Sequence, residues 1–218
     1  MLSHLGSGSE IALADYRAAI DGTPASGDGF NESIWDRWNA MSPQDQAAGY
    51  LQHNEILVAT LEALTPQQRE TVQVKLGFLP APLPLALIAG MRLNETTLHE
   101  WDVNVAFDPA AGLPDAATQL LAEQFSDGLS FLAGFIGKPQ ELGTTAVVEI
   151  TGTSYGFVID DGVRLTSAVS DPTATFTGSL EAAVRLLAGR LKPQYTPADV
   201  KVTGNITLDD LRRVFPGY

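Results

Sequence analysis

Apolar residues recur three and four apart along the first two thirds of the chain and two apart after Thr144, so the pattern predicts helices first and strands later. Residues 1–20 carry His4, Leu5, Ile11 and Asp15 at helical spacing, ahead of an Asp21-Gly22-Thr23-Pro24 stop. Gly6 and Gly8 sit inside that stretch; a helical glycine costs about 1 kcal/mol, yet it lets another group come close. Residues 22–41 are Gly-rich and polar, with Trp35 and Trp38 inserted, and read as a loop pinned by its indoles. Ser42-Pro43 supplies an N-cap and a first-turn proline for a helix to about Leu64, with Tyr50, Leu57, Leu61 and Leu64 inward and His53 flanking as a structural residue. Thr65-Pro66-Gln67-Gln68 is a second capped start, opening a short helix that ends near Gly77. A proline-broken segment, 78–84, leads into a helix that stops at Asp108-Pro109. Another runs from about Asp115 to Ile136, with Leu120, Leu121, Phe125, Leu129 and Leu132 on its apolar side.

Beyond Thr144, residues 146–150, 155–159, 163–166 and 173–177 read as strands, with Asp160-Asp161-Gly162 as a hairpin turn. Ser179 caps a helix ended by Gly189, residues 200–202 read as a fifth strand, and Thr207 opens a last short helix. The change of period places a boundary near 138–144, giving a helical domain over 1–138 and an α+β domain over 144–218.

Composition narrows the function classes. Of 218 residues, 44% are hydrophobic and 18% charged, and the net charge of -13 provides no basic excess for nucleic acid or an anionic membrane surface. The most apolar run, from Phe78 to Met91, is interrupted by Pro80, Pro82 and Pro84 and is too short to span a bilayer. The first residues lack the basic start and apolar core of a signal peptide, so the cytoplasm is the expected location. There is no cysteine, so any thiol chemistry must use a thiol brought in from outside.

Candidate chemistry concentrates in the helix through Met91–Ala106. Ile88, Met91, Glu95, Leu98, Asp102 and Val105 fall on one face, with His99 beside Glu95. Three polar side chains are thus aimed inward, and buried polar groups need partners, because leaving one unpaired costs roughly 2–7 kcal/mol. Glu95 and His99 are one turn apart and can reach a single point beside the helix, a spacing that suits a divalent metal. His4 shares the face of Ile11 and is the third inward candidate. Two histidines and a carboxylate from different helices are the composition of a catalytic rather than a structural zinc site, with a fourth position left open.

At these residues the chain resembles the DinB-like metal proteins and, within them, the mycothiol-dependent maleylpyruvate isomerase family. The likeness is carried by Leu2-Ser3-His4-Leu5-Gly6-Ser7-Gly8, by Arg92-Leu93-Asn94-Glu95 with His99-Glu100-Trp101-Asp102, and by three C-terminal segments: Ser170-Asp171-Pro172, Gly189-Arg190-Leu191 and Val202-Thr203-Gly204. The resemblance implies an α+β protein: a DinB-like up-and-down helix bundle followed by a small sterol-carrier-like domain. It implies a divalent metal, usually zinc, on His4, Glu95 and His99, with mycothiol as thiol cosubstrate acting on a small electrophile as an isomerase or S-transferase. Asp102 is a candidate catalytic residue as the acceptor that orients an imidazole. Arg92 is another, for a substrate carboxylate or for pairing with Glu95 or Asp102, and Arg190 is a candidate for cofactor binding. Members of the family usually have a helix before the first metal histidine, so the expectation is either a start placed at an internal methionine or a bundle that lacks its first helix. The expected partners are small molecules, with neither nucleic acid nor membrane, and the assembly a monomer or homodimer. The alternatives are a non-catalytic small-ligand-binding protein that keeps the fold, and a bundle in which Glu95, His99 and Asp102 satisfy one another.

Overall fold

Helix α1 (Leu2–Asp21) ends where Gly22 adopts a φ of 65°, a left-handed cap that a residue with a β-carbon enters only at a cost. In the computed structural model, which describes residues 1–77 and 79–217, α1 packs on α2 (Phe30–Ala40) and α3 (Pro43–Glu62). These helices belong to the first of two compact units, residues 1–89; the second is 90–218.

Trp38 organises the first unit. Its ring is fully buried, and a β-carbon at Gly6 would stand 2.1 Å from it, one at Gly49 2.9 Å. The glycine inside α1 and the one inside α3 are therefore the space into which the indole fits. Trp38 Nε1 donates to Glu10 at 2.9 Å, and Gln46 Nε2 donates to the Trp38 carbonyl at 3.0 Å. Residues 30–40 are a helix, not the loop expected there: Ile34 and Trp38, four apart, form a buried line too short to stand out among the polar residues around it. Trp35 is 45% exposed and is not a buried anchor.

The buried face of α1 runs through Leu5, Gly6, Ser9, Leu13 and Tyr16, so His4 is exposed and Ile11 only half-buried, against the inward placement expected for both. Small residues take the inward positions: Gly6 admits Trp38, and the Ser9 hydroxyl satisfies itself on the Leu5 carbonyl at 2.9 Å. Helix α4 (Pro66–Thr71) opens with the expected Thr65–Gln68 capping box but stops before Gly77. Gln73–Val74 (β1), expected to continue the helix, instead pairs antiparallel with Leu83–Pro84 (β2), which lies inside the segment expected to be irregular. Position 78, at the start of that segment and of the apolar run, lies outside the described residues.

In the second unit, α6 (Asp115–Phe125) and α7 (Ser130–Ile136) replace the single helix expected over 115–136. Ser126, Asp127 and Gly128 are poor helix formers, and Leu129 N turns back to the Gln124 carbonyl at 2.8 Å. The sheet has the order β5-β4-β3-β6-β7, formed by Val163–Thr166, Gly156–Ile159, Ala146–Ile150, Ala174–Thr177 and Lys201–Gly204; β3 and β6 are parallel and the other pairs antiparallel. Val148, Ile150, Phe157, Ile159, Leu165 and Phe176 are buried within it. Helix α8 (Leu180–Leu187) is capped by Ser179 and α9 (Leu208–Val214) by Thr207, both as expected. Helix α6 packs on α8, and α7 on β5. Contact density divides the chain at 89/90, inside the helix α5 (Leu85–Asn104), whereas the change of period near 138–144 marks where strands begin. Mixed α+β architecture is as expected, and among the described residues no helix is long and apolar enough to cross a membrane.

Candidate metal centre

Helix α5 carries Arg92, Glu95, His99 and Asp102. Its fully buried positions are Leu85, Ile88, Gly90, Asn94, Thr97, Leu98 and Trp101, with Val105 just beyond its end. The expected apolar stripe is right for Ile88, Leu98 and Val105, but Met91, Glu95 and Asp102 lie half-buried at its margin. A margin suits them: a carboxylate there keeps some solvation and still faces a partner.

The polar side chains form a chain of contacts. Glu95 Oε2 is 3.5 Å from His99 Nε2, and His99 Nδ1 is 3.0 Å from Asp102 Oδ2. With an ionised carboxylate on that side, Nδ1 carries the hydrogen and donates, which leaves the Nε2 lone pair turned to the Glu95 side. Among the described residues, His4, Glu95 and His99 form a group able to share an ion, each offering one ligand atom, all within 4.8 Å of one another. Two imidazoles and a carboxylate fit the donor set of a divalent metal such as zinc, which takes nitrogen and oxygen ligands at tetrahedral positions.

Behind His99 stands a charged support that no local pattern in the sequence indicates. Arg190 Nε donates to Asp102 Oδ1 at 2.9 Å, and its terminal nitrogens reach Asp102 Oδ2 at 2.7 Å and the Ala188 carbonyl at 3.0 Å. Burial by itself would raise the Asp102 carboxyl, but the paired guanidinium, helped by His99, outweighs it and holds the group below its ordinary range. Arg190 owes its place to Gly189, whose φ of 70° ends α8 and lets Arg190 N return to the Arg185 carbonyl at 2.7 Å. Arg92 lies half-buried one turn before Glu95, its carbonyl accepting from Thr96 Oγ1 at 3.0 Å.

Further residues to which the sequence reading gave no role hold this end of α5. Trp101 Nε1 donates to the Ala111 carbonyl at 2.7 Å, and its ring meets Tyr195 edge-on with centroids 5.5 Å apart. The Arg185 guanidinium lies 5.3 Å from the Trp101 ring centroid, is paired with Glu181, and donates to the Tyr195 carbonyl at 2.9 Å. One signal was present: Arg185 is a charge in the middle of the apolar run Leu180–Ala188, where only a paired charge is tolerated. A pocket of about 370 Å³ opens beside Trp101, Asp102 and Arg190. His53, by contrast, belongs to the Trp38 cluster: its ring meets the indole edge-on at 5.7 Å, and Nε2 is 3.6 Å from Glu10.

Comparison with known proteins bears on this geometry. Residues 1–104 match the family described as the mycothiol maleylpyruvate isomerase N-terminal domain. Among solved structures, the crystal structure of the mycothiol-dependent maleylpyruvate isomerase superposes with a TM-score of 0.59 at 15% identity, covering 94% of this chain and 77% of that one. A point mutant of that isomerase gives 0.58 and 14% with the same coverage. Identities this low show the fold alone. No curated protein matches the chain.

Proposed function

We propose that this protein is a metal-dependent, mycothiol-using enzyme, because residues 1–104 match the mycothiol maleylpyruvate isomerase N-terminal domain family and the chain shares the isomerase fold. It acts on a small electrophile, either as an isomerase of the maleylpyruvate type or as a thiol S-transferase. The observation that carries the reading is the convergence of His4, Glu95 and His99, with ligand atoms within 4.8 Å. When bound, a divalent ion such as zinc supplies Lewis acidity that favours the thiolate form of an incoming thiol near neutral pH.

The chain's own residues have separate tasks. His4, Glu95 and His99 hold the ion. Asp102 fixes the His99 tautomer, and Arg190 keeps Asp102 ionised so that it can do so. Arg92, one turn before Glu95, provides a cation for the electrophile. With no cysteine in the chain, the nucleophilic sulfur is that of the cosubstrate. In an isomerase that sulfur adds to an activated double bond and leaves after rotation; in a transferase it stays on the product.

Elemental analysis of the purified protein tests the assignment. Near one divalent ion per chain is expected in wild type and little in Glu95→Ala or His4→Ala; stoichiometric metal in both variants would sink it. An electrophile panel with mycothiol then tests turnover. Product should form with wild type and vanish with the metal, whereas a metal-loaded protein that turns over nothing would be a ligand-binding protein.

A further inference from the structure

A carboxylate stands where the sheet has no use for one. Strand β3 is the central strand; Val148 and Ile150 are buried on one of its faces, and Glu149 between them lies half-buried on the other. Glutamate is depleted in strands, and a charge within a sheet is stabilised by an opposite charge across from it. Glu149 has none: its cross-strand neighbours are Gly156 on β4 and Thr175 on β6. The Thr175 hydroxyl donates to Oε1 at 2.8 Å, and Glu149 makes no ion pair among the described residues. A partly desolvated charge held in this way costs stability and returns none to the fold.

Around this carboxylate lies a hollow of about 340 Å³, within the range of ligand sites, about 300–1,000 Å³. Ser154 and Tyr155 wall it from the connection between β3 and β4, and Ser167, Val169 and Pro172 from the segment joining β5 to β6. Gly156 makes the arrangement possible. A β-carbon there would stand 2.5 Å from Val169 Cγ2 and 2.4 Å from the Val148 carbonyl oxygen, so glycine is what lets the segment lie on the sheet beside Glu149. Asp171, at a φ of 50°, turns that segment back, and Thr173 N then donates to the Val147 carbonyl at 2.8 Å. The Ser170-Asp171-Pro172 motif thus shapes one wall. Among the described residues that line the hollow, Glu149 alone carries a charge. An anion would be repelled there, and one carboxylate is too little for a divalent metal ion, which draws on several oxygen ligands. A primary ammonium matches the set, because its several donors can serve Glu149 and the serine hydroxyl oxygens together.

We propose that this hollow binds a small primary amine in its ammonium form, with Glu149 as the counter-charge and Tyr155, Val169 and Pro172 against its carbon skeleton. The site shares no residue with the metal centre, so it stands or falls independently of the enzyme reading.

An amide NMR titration of the isotope-labelled protein at neutral pH tests this, with benzylamine as the probe and benzyl alcohol as the same skeleton without the charge. Benzylamine should shift the amides of residues 149–155 and 167–169 saturably, and benzyl alcohol should do so more weakly. Glu149→Gln keeps the side-chain shape and an acceptor for Thr175 but loses the charge, and should weaken benzylamine about tenfold or more. Its melting temperature should equal or exceed that of wild type, because a charge kept for a ligand is a cost to the free protein. An amine can also ligate a metal ion, so Glu95→Ala is titrated as well, and there the shifts should persist. Weaker binding in Glu149→Gln without a loss of melting temperature upholds the site even where the metal assignment fails. Equal binding of benzylamine by wild type and Glu149→Gln, equal shifts from amine and alcohol, no saturable shift at these residues, or shifts lost in Glu95→Ala would overturn it.

Discussion

At the scale of single residues, Asp102 does the most with the fewest contacts. Replacing it with asparagine keeps the shape but weakens the acceptor behind His99 and removes the carboxylate to which Arg190 donates. Loss of such a partner commonly costs about 10–100-fold in metal affinity, so Asp102→Asn should bind zinc in a competitive chelator titration that much more weakly. Unchanged affinity would remove Asp102 from the site. Its charge also has a pH signature. The folded-state pKa lies below the unfolded value, so the stabilisation is fully present above that unfolded value, near 3.8, and disappears as pH falls through the folded value. Urea unfolding between pH 6 and about pH 3 should therefore show a steeper acid loss in wild type than in Asp102→Asn. Asp15 behaves in the opposite sense. Burial raises its pKa, so its charge costs stability at neutral pH, and Asp15→Asn should raise the melting temperature at pH 7 by an amount that fades on acidification. A constant difference across that range would contradict it.

At the scale of elements, the first helix is shaped by what packs on it. Gly6→Ala would normally gain about 1 kcal/mol from helix propensity. Here the new methyl group would meet the Trp38 ring at 2.1 Å, and overpacking of this kind costs about 1–3 kcal/mol. Denaturant unfolding should consequently show Gly6→Ala to be destabilised, and a stabilised variant would mean that the indole moves aside freely. Element identity was legible wherever caps and breakers were strong. The Thr65–Gln68 and Thr207–Asp210 caps, the Ser179 cap, the Gly22 and Gly189 stops and four of the five sheet strands stand at or within a residue of their expected places. Where signals were weak, the reading missed: α2 hid in a polar stretch, and the break between α6 and α7 was carried only by Ser126-Asp127-Gly128. For α2 the packing of Ile34 and Trp38 decided the outcome, whereas between α6 and α7 three poor helix formers sufficed to break the helix.

For the molecule as a whole, a ligand that binds the folded chain and not the unfolded one raises its stability by mass action. Zinc at a hundredfold excess over its dissociation constant would add about 2.7 kcal/mol, so a chelator should lower the melting temperature of wild type and leave Glu95→Ala unaffected. The same response in both would place the ion elsewhere. Apart from α2, the β1–β2 pair and the break between α6 and α7, the helices and strands, their caps and stops, and the one-turn spacing of Glu95 and His99 were readable locally, because each depends on groups within about four positions of one another. The candidates His4, Glu95 and His99 were legible too, through spacing together with the family likeness. It took the folded chain to reveal that His4 is exposed, that Glu95 and Asp102 sit at the margin of the buried face, and that Arg190, 88 positions along the chain, pairs with Asp102. The physical reason is that burial and charge pairing are set by which faces meet. A helix pattern states which side chains share a face, whereas the depth of that face depends on distant small residues such as Gly6 and Gly189 that let other groups approach.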